Sequence, residues 1–286
     1  MDFFSPSMMS QLAEFGRGVG ITLLQVLGYY LFFLIVERVI PGERNQPFHA
    51  IRLNVLYLPF YVIGTALLLP LTTALVVGQL RSHYPQMFGL IPFDSWLDAG
   101  LRGFVYLLIF DFAYYWFHRA QHRFAWLWAQ HKLHHSDQSL NVTTALRHHW
   151  LEEPLRVFFM VLPMAVLFGL TPAYSAGLAF VLSFWGFYIH ANVNMHFGPL
   201  NRVLCTPQLH RLHHSIRSEH QDVNFAAIFP IYDLLFGTYA VPRRGDVPAT
   251  GLISGERVLS VWQANLLPFA DWRERIRRKR PVVPTA

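Results

Sequence analysis

The sequence predicts an all-α fold, a polytopic membrane helical bundle with a cytosolic, histidine-rich helical cap. Three observations lead to it. Apolar residues make up 53% of the 286-residue chain and charged residues 14%, against about 25% charged in typical soluble domains. Several long stretches carry no charge. Histidines cluster near the ends of those stretches. We expect about four transmembrane helices plus a helical hairpin.

The first two spans are the simplest elements to justify. Val19–Val36 and Leu53–Leu80 contain no acidic or basic side chain, and a spanning helix needs about 20 apolar residues. The first of them is too long for the apolar region of a signal peptide, and Asp2 precedes any basic residue. We therefore expect the first helix to remain in the protein. Gly103–Phe117, interrupted only by Asp111, is predicted to be the third span.

A fourth uncharged stretch, Val157–Ile189, is too long for one helix. The residues at 169–173 form a turn-like cluster of Gly, Thr and Pro, which breaks helices. The sequence therefore predicts a hairpin of helices at 156–170 and 173–190, and whether it crosses the bilayer fully stays open. We expect one membrane domain, 1–286, made of amino-terminal transmembrane helices (1–100), a catalytic region (101–240) and a basic cytosolic tail (241–286).

The distribution of basic residues predicts the orientation. Arg38, Arg44 and Arg52 lie between the first two spans, which assigns that loop to the cytoplasm by the positive-inside rule. Counting spans then brings every histidine cluster to the cytoplasmic side of a multi-pass protein. The basic run at 273–280 fits anionic lipid headgroups better than nucleic acid, because the rest of the chain has a membrane composition.

Cysteine chemistry is excluded as the basis of this protein. The only cysteine is Cys205, so neither an intrachain disulfide nor a cysteine-rich metal site can form. We interpret Cys205 as a small buried apolar residue.

The histidines carry the functional signal, since 13 of the 15 lie between residues 118 and 220. Residues three and four apart share one face of a helix, and three clusters use this spacing. Imidazole is a good ligand for Fe, Zn and Cu, and eight clustered histidines exceed the needs of one ion. A single histidine would indicate packing, but three such clusters indicate two metal ions. The eight are His118, His122, His131, His134, His135, His210, His213 and His214.

These three clusters resemble the histidine boxes of the fatty acid hydroxylase and sterol desaturase superfamily. The likeness runs from Asp111 to Tyr239. It includes His190-Ala191-Asn192, Asp222-Val223-Asn224-Phe225 and the segment 233–238, which resemble further family elements. One departure is Trp150, which stands where family members often have proline, and it leaves the role of His149 uncertain.

The resemblance implies a non-haem di-iron centre that uses O2 to hydroxylate or desaturate a membrane lipid. It implies the eight box histidines and His190 as ligands. Asp111 and Asn224 are the predicted catalytic supports. We expect Asp111 to orient a ligand histidine, because metal-bound imidazoles usually donate their other N–H to an acceptor. Glu152, Asp222 and Asp233 are candidates for the same kind of role.

Other functions remain open at this point. A related enzyme could cleave a lipid ether or an aldehyde, and a histidine-rich metal transporter or a membrane zinc hydrolase would share some of these features. No nucleotide motif or cytochrome-like region is visible, so we expect a separate electron-transfer protein as the external donor. The lipid, its reacting carbon and the oligomeric state are not specified by the sequence. His49 and His83 are expected not to be ligands, and His148, His196 and His220 are weak candidates.

Overall fold

The computed structural model describes residues 6–91, 96–169 and 172–279. Within these ranges the protein is helical and contains no β-strand; two isolated β-bridges join Pro41 to Val193 and Ser215 to Thr250. The all-α expectation is therefore confirmed.

Two long helices open the fold. α1 covers Pro6–Val39, and α2 covers Phe48–Thr73. α2 continues through a π-helical turn at Ala74–Gly78 into α3, Gln79–His83. The wide turn follows Pro70 by one helical turn, and proline disturbs the regular hydrogen-bond ladder. By length and apolar composition, Ser7–Val39 and Phe48–His83 could each cross a membrane.

These two are the only such helices in the described ranges, fewer than the four that the sequence predicts. α4, Trp96–Arg123, contains the third predicted span and is 28 residues long. It carries Arg102, Asp111 and further basic residues near its end, which lower its hydropathy. The first hairpin arm falls short for a different reason, because a π turn interrupts it.

The predicted hairpin has a segmented first arm. α6 (Glu152–Arg156), a π turn (Val157–Val161) and α7 (Leu162–Leu167) follow one another, and α8 runs from Pro172 to His190. The break lies where the glycine and proline cluster predicts it, although residues 170 and 171 lie outside the described residues. α8 has 19 residues, and Gly177–His190 within it is apolar.

Four shorter helices complete the fold. They are α5 (Ala125–His135), α9 (Pro207–His213), α10 (Ile231–Phe236) and α11 (Val261–Lys279). Single 3-10 turns lie at Pro85–Met87, Val142–Leu146, Gly198–Arg202 and Ser218–His220.

Packing brings the membrane-type helices and the histidine-bearing helices into one body. One core cluster joins α1, α2 and α8 to the 142–146 turn, with Tyr30, Leu58 and Phe187 buried. A second joins α2, α5 and α11, where Leu133 and Leu267 are buried. Part of the predicted tail therefore packs directly on a histidine-bearing helix. Cys205 is buried, as predicted.

Candidate metal centre

The nine predicted ligand histidines meet in two groups. They come from α4, α5, α8 and α9, and within each group the candidate ligand nitrogens lie within 4.8 Å of one another. The first histidine group is His118, His122, His131, His135 and His213. The second histidine group is His134, His190, His210 and His214.

The first histidine group converges through its Nε2 atoms. Nε2 of His135 lies 3.1 Å from that of His122 and 3.2 Å from those of His131 and His213. His118 joins through His131, with 3.0 Å between the two Nε2 atoms. Three separate stretches of chain therefore point one type of nitrogen at a common point.

The second histidine group has the same construction. Nε2 of His190 lies 3.1 Å from Nε2 of His134 and 2.9 Å from Nε2 of His210. Nε2 of His214 lies 3.1 Å from Nε2 of His210. His190 ends α8 and provides the contribution from the hairpin.

Helical geometry explains how the second and third boxes each serve both groups. Residues four apart lie about 40° apart around a helix, whereas the residue at i+3 lies about 60° away in the other direction. On α5, His131 and His135 enter the first group and His134 enters the second. On α9 the assignment is reversed, because His210 and His214 enter the second group and His213 enters the first.

Outward hydrogen bonds fix several rings with Nε2 free of a proton. When Nδ1–H donates to a carbonyl, the neutral ring keeps its lone pair on Nε2. The acceptors are the carbonyls of Phe225, Val223 and Gly186 for His118, His213 and His190, at 2.9, 2.8 and 2.6 Å. A carboxylate oxygen of Asp222 lies 3.5 Å from Nδ1 of His122, as the sequence suggested for that acid.

Burial keeps these rings neutral. It lowers the pKa of His135 well below its ordinary value, and charge repulsion from His214 and other neighbours lowers it further. The pKa of His131 falls to about 4 for the same first reason, although Glu152 opposes the shift. Neutral imidazole is the metal-binding form.

The donor set fits two cations. In each group, several neutral nitrogens lie about 3 Å apart and point their lone pairs at one place. The lone pairs repel one another unless they share a cation. The Nδ1 atoms of His134 and His214 are buried without a hydrogen-bond partner, so those rings gain nothing from a purely packing role. Five and four imidazoles suit borderline ions such as Fe or Zn.

Glu152 lies behind the first group. Its carboxylate is fully buried, 3.7 Å from Nδ1 of His131 and 3.3 Å from Nδ1 of His148, and it accepts a hydrogen bond from Gln121. Burial alone would raise the pKa of Glu152, but His148 and His131 hold it well below its ordinary value. This anion can orient His131 and strengthen it as a ligand.

Asp111 has a different role from the predicted one. Its carboxylate accepts backbone N–H groups of residues 227–229 at 2.8, 3.1 and 2.6 Å, and in the described chain it makes no hydrogen bond to a histidine. The reason is geometric, because the loop at 227–229 covers this face of α4 and its three backbone N–H groups bond to Asp111. Asp111 therefore orders the loop whose Phe225 carbonyl holds His118.

The Asn224 side chain also makes its hydrogen bonds to backbone atoms. Its side-chain N–H donates to the carbonyls of Leu209 and Ala240 at 3.2 Å, and its oxygen accepts from Ala240 N–H at 2.9 Å. Its φ of 54° is left-handed, a conformation that asparagine tolerates. Asn224 ties α9 to the segment after α10 and positions His210 and His213.

The remaining histidines lie outside both groups. Nε2–H of His149 donates to the carbonyl of Asn265, and Nδ1 accepts from Leu151 N–H, so both nitrogens are engaged elsewhere. His148 stacks on His134, with ring centroids 4.0 Å apart. The groups of metal-competent residues in the described chain include none of these: His49, His83, His149, His196 and His220.

A network that the sequence hardly reveals binds the α1–α2 loop to the second histidine group. Glu37, at the end of α1, accepts N–H groups from Val142 and Asn192, both at 2.8 Å. Arg211, between ligands of α9, pairs with Glu43 at 2.8 Å. A carboxylate directly after an apolar span was the available signal for Glu37.

A polar cavity of about 340 Å³ reaches the first histidine group. His122, His135 and His213 line it together with Lys132 and Glu256. It gives this group an aqueous approach.

Comparison with known proteins agrees with this site. Residues 103–238 match the fatty acid hydroxylase family. The chain is 38% identical to human (Homo sapiens) alkylglycerol monooxygenase over 152 residues, which is 52% of this chain and 32% of that protein. It is 31% identical to an ornithine lipid hydroxylase of Rhizobium tropici over 195 residues, 67% of this chain and 56% of that one.

A more distant relative is a very-long-chain aldehyde decarbonylase of Oryza sativa subsp. indica, 31% identical over 177 residues, 58% of this chain and 27% of the relative. The chain thus spans between about a quarter and just over half of these relatives. No solved structure matches the chain significantly.

Proposed function

Because this chain belongs to the fatty acid hydroxylase superfamily, we propose that it is an O2-dependent di-iron oxidoreductase that hydroxylates or desaturates a membrane lipid. The observation that carries the proposal is the pair of convergent imidazole groups, five and four strong. A zinc hydrolase would need one open site with fewer ligands. A transporter would place sites along a path through the membrane.

The two histidine groups would hold one iron each. Bound iron supplies O2 activation and the oxidising power for an unactivated C–H bond. The histidines hold the metals and stay neutral. Glu152 and the carbonyl of Phe225 fix the rings of His131 and His118. Electrons would come from a separate protein.

The membrane arrangement is part of the proposal. Beyond the two apolar helices, α4 and the hairpin of α6–α8 would also enter the bilayer. Backbone contact between Gly42 and Asn192, at 3.0 Å, and the Glu43–Arg211 pair tie the arginine-rich α1–α2 loop to the second histidine group. If that loop is cytoplasmic, the metal site is cytoplasmic too.

Sidedness can be tested at Asn45, an exposed residue of this loop. In right-side-out cells, N45C should resist a membrane-impermeant maleimide until the cells are permeabilised. The native Cys205 gives little background because it is buried. Labelling in intact cells would contradict a cytoplasmic site.

Metal analysis tests the central claim. We expect two irons per purified chain and iron-dependent O2 consumption. His134→Ala should lose metal from the second histidine group and abolish product while the protein stays in the membrane. His83→Ala is the control, because His83 is exposed and bonds only within its own helix end. One zinc per chain without O2 consumption would reject the proposal.

An alkylglycerol is a second candidate for the substrate. It is favoured by the 38% identity to human alkylglycerol monooxygenase over 152 residues, and it would be compatible with ether cleavage following hydroxylation. Lipid profiles of cells with and without the gene distinguish the candidates. Accumulation of alkylglycerols alone would favour the second, and loss of a hydroxylated or unsaturated acyl lipid would favour the first.

A further inference from the structure

One face of α4 changes from aromatic to basic along its length. Phe112, Trp116, Arg119 and Arg123 are spaced by four, three and four residues, so they share one side of the helix. Phe112 and Trp116 are each 42% exposed. From Trp116 to Arg123 the helix rises about 10 Å, roughly the depth of a headgroup layer.

A half-open cavity of about 440 Å³ lies at the basic end of this face. It is lined by Trp116, Arg119, Arg123, Phe124, Asp222 and Phe225, among others. The surface inside is mainly apolar, and polar groups gather at the two arginines and Asp222. The ring of Phe225 separates the cavity from the first histidine group, with centroids 5.1 Å from His122 and 5.5 Å from His118.

The two guanidinium groups at this cavity are not neutralised by ion pairs in the described chain. Arg119 donates to the hydroxyl of Tyr115 at 2.9 Å and lies over the Trp116 ring, 5.6 Å from its centroid. Asp222 supplies the one carboxylate that lines the cavity, and its oxygen lies 3.5 Å from Nδ1 of His122. The cavity mouth therefore has a net positive charge.

We propose that this cavity binds the anionic headgroup of a membrane lipid, with Arg119 and Arg123 contacting the phosphate. The lipid chain runs along the exposed aromatic face at Phe112 and Trp116 into the bilayer. This site is separate from the metal chemistry and does not depend on turnover.

Two observations favour a lipid over a soluble anion. The apolar surface continues beyond the cavity onto α10, where Leu235 is 68% exposed and the Phe236 ring packs at a tilt against Trp116, with centroids 4.9 Å apart. Tryptophan beside arginine at a helix end is the composition of a membrane–water interface. Basic side chains there attract anionic lipids, by about fivefold in affinity for each one.

Fluorescence quenching provides the test. The full chain is placed in phosphatidylcholine nanodiscs that contain a minor fraction of either brominated phosphatidylglycerol or brominated phosphatidylcholine. Trp116 lines the cavity, and its signal is the difference between the parent protein and Trp116→Phe. We expect brominated phosphatidylglycerol to quench Trp116 more strongly than brominated phosphatidylcholine does. In R119Q/R123Q this preference should fall about 25-fold.

A matched control is R243Q/R244Q, which removes the same charge from an exposed loop and should keep the preference. If R119Q/R123Q does not give monodisperse protein, R123Q alone decides, because Arg123 is exposed; it should lose about fivefold. Equal quenching by both probes, or an unchanged preference in the arginine variants, would overturn the proposal. Displacement of the quencher by inorganic phosphate at constant ionic strength would assign a soluble anion instead and also overturn it.

Discussion

Gly64 and Gly28 should respond in opposite directions to the same substitution. A Cβ added at Gly64, inside α2, would lie 2.5 Å from Cβ and 2.8 Å from Cγ of Trp150. These are the near atoms of a side chain held by a hydrogen bond from its indole N–H to Asn265 at 3.0 Å, so rotation alone cannot relieve the clash. At Gly28, inside α1, nothing lies within 4 Å.

The magnitude follows from two opposing effects. Overpacking costs about 1–3 kcal/mol, and the near-atom contact places G64A toward the upper end of that range. Alanine is favoured over glycine in a helix by about 0.5–1 kcal/mol. The net change is a loss of about 1–2 kcal/mol for G64A and a gain of up to about 1 kcal/mol for G28A.

Thermal unfolding of the detergent-purified chain measures the difference. At about 2–4 °C per kcal/mol, G64A should unfold roughly 2–8 °C below the parent, whereas G28A should unfold at or above it. Equal stability of G64A and the parent, or an equal loss in both variants, would refute the packing of Trp150 against α2. That packing positions the start of α6, where Glu152 faces His131.

Three further outcomes follow from buried polar groups. Asp111→Asn leaves at least one N–H of residues 227–229 without an acceptor, so it should lower the free energy of unfolding by about 1–3 kcal/mol. The control D246N breaks an exposed ion pair and should lower it by less than about 1 kcal/mol. Equal shifts in unfolding temperature would contradict the role of Asp111. In metal-free protein, burial lowers the pKa of His131 to about 4, so the unfolded chain takes up a proton near pH 6.5 and the folded chain does not. Stability should therefore be complete above pH 6.5 and fall as the pH drops toward 4, by up to about 1.4 kcal/mol per pH unit for this group; a flat profile of unfolding temperature against pH would exclude this shift. Burial also raises the pKa of the Cys205 thiol well above its usual range, so maleimide should label it only after unfolding, and rapid labelling of native protein would disagree.

Much of the fold was predictable because membrane helices depend on local composition. The charge-free stretch at 19–36 lies within α1, and the one at 53–80 runs from α2 through the π turn into α3. The glycine and proline at 169–173 separate the hairpin arms. The number of spans stays a prediction. α4 carries charges that lower its hydropathy, and the first hairpin arm divides into short pieces around a π turn, which the sequence pattern does not reveal.

The site was predictable to the level of residue type. Histidine spacing identified eight of the nine residues that converge, since i, i+3 and i+4 neighbours must share a helix face, and the family resemblance added His190. The roles of the supporting residues were not predictable from the spacing. Asp111 was expected beside a histidine but bonds the loop at 227–229, because hydrogen bonds to backbone depend on a partner more than a hundred residues away. Glu37 gave only the weak signal of one acid after an apolar stretch.

The spacing within α5 and α9 by itself separates one histidine of each triplet from the other two. The spacing does not determine which of the two histidine groups receives which histidines. Only the packing of α4 against α5, and of α8 against α9, assigns His118 and His122 to one group and His190 to the second. That decision depends on helix–helix contacts between distant segments, whereas the angular separation is a property of the helix alone.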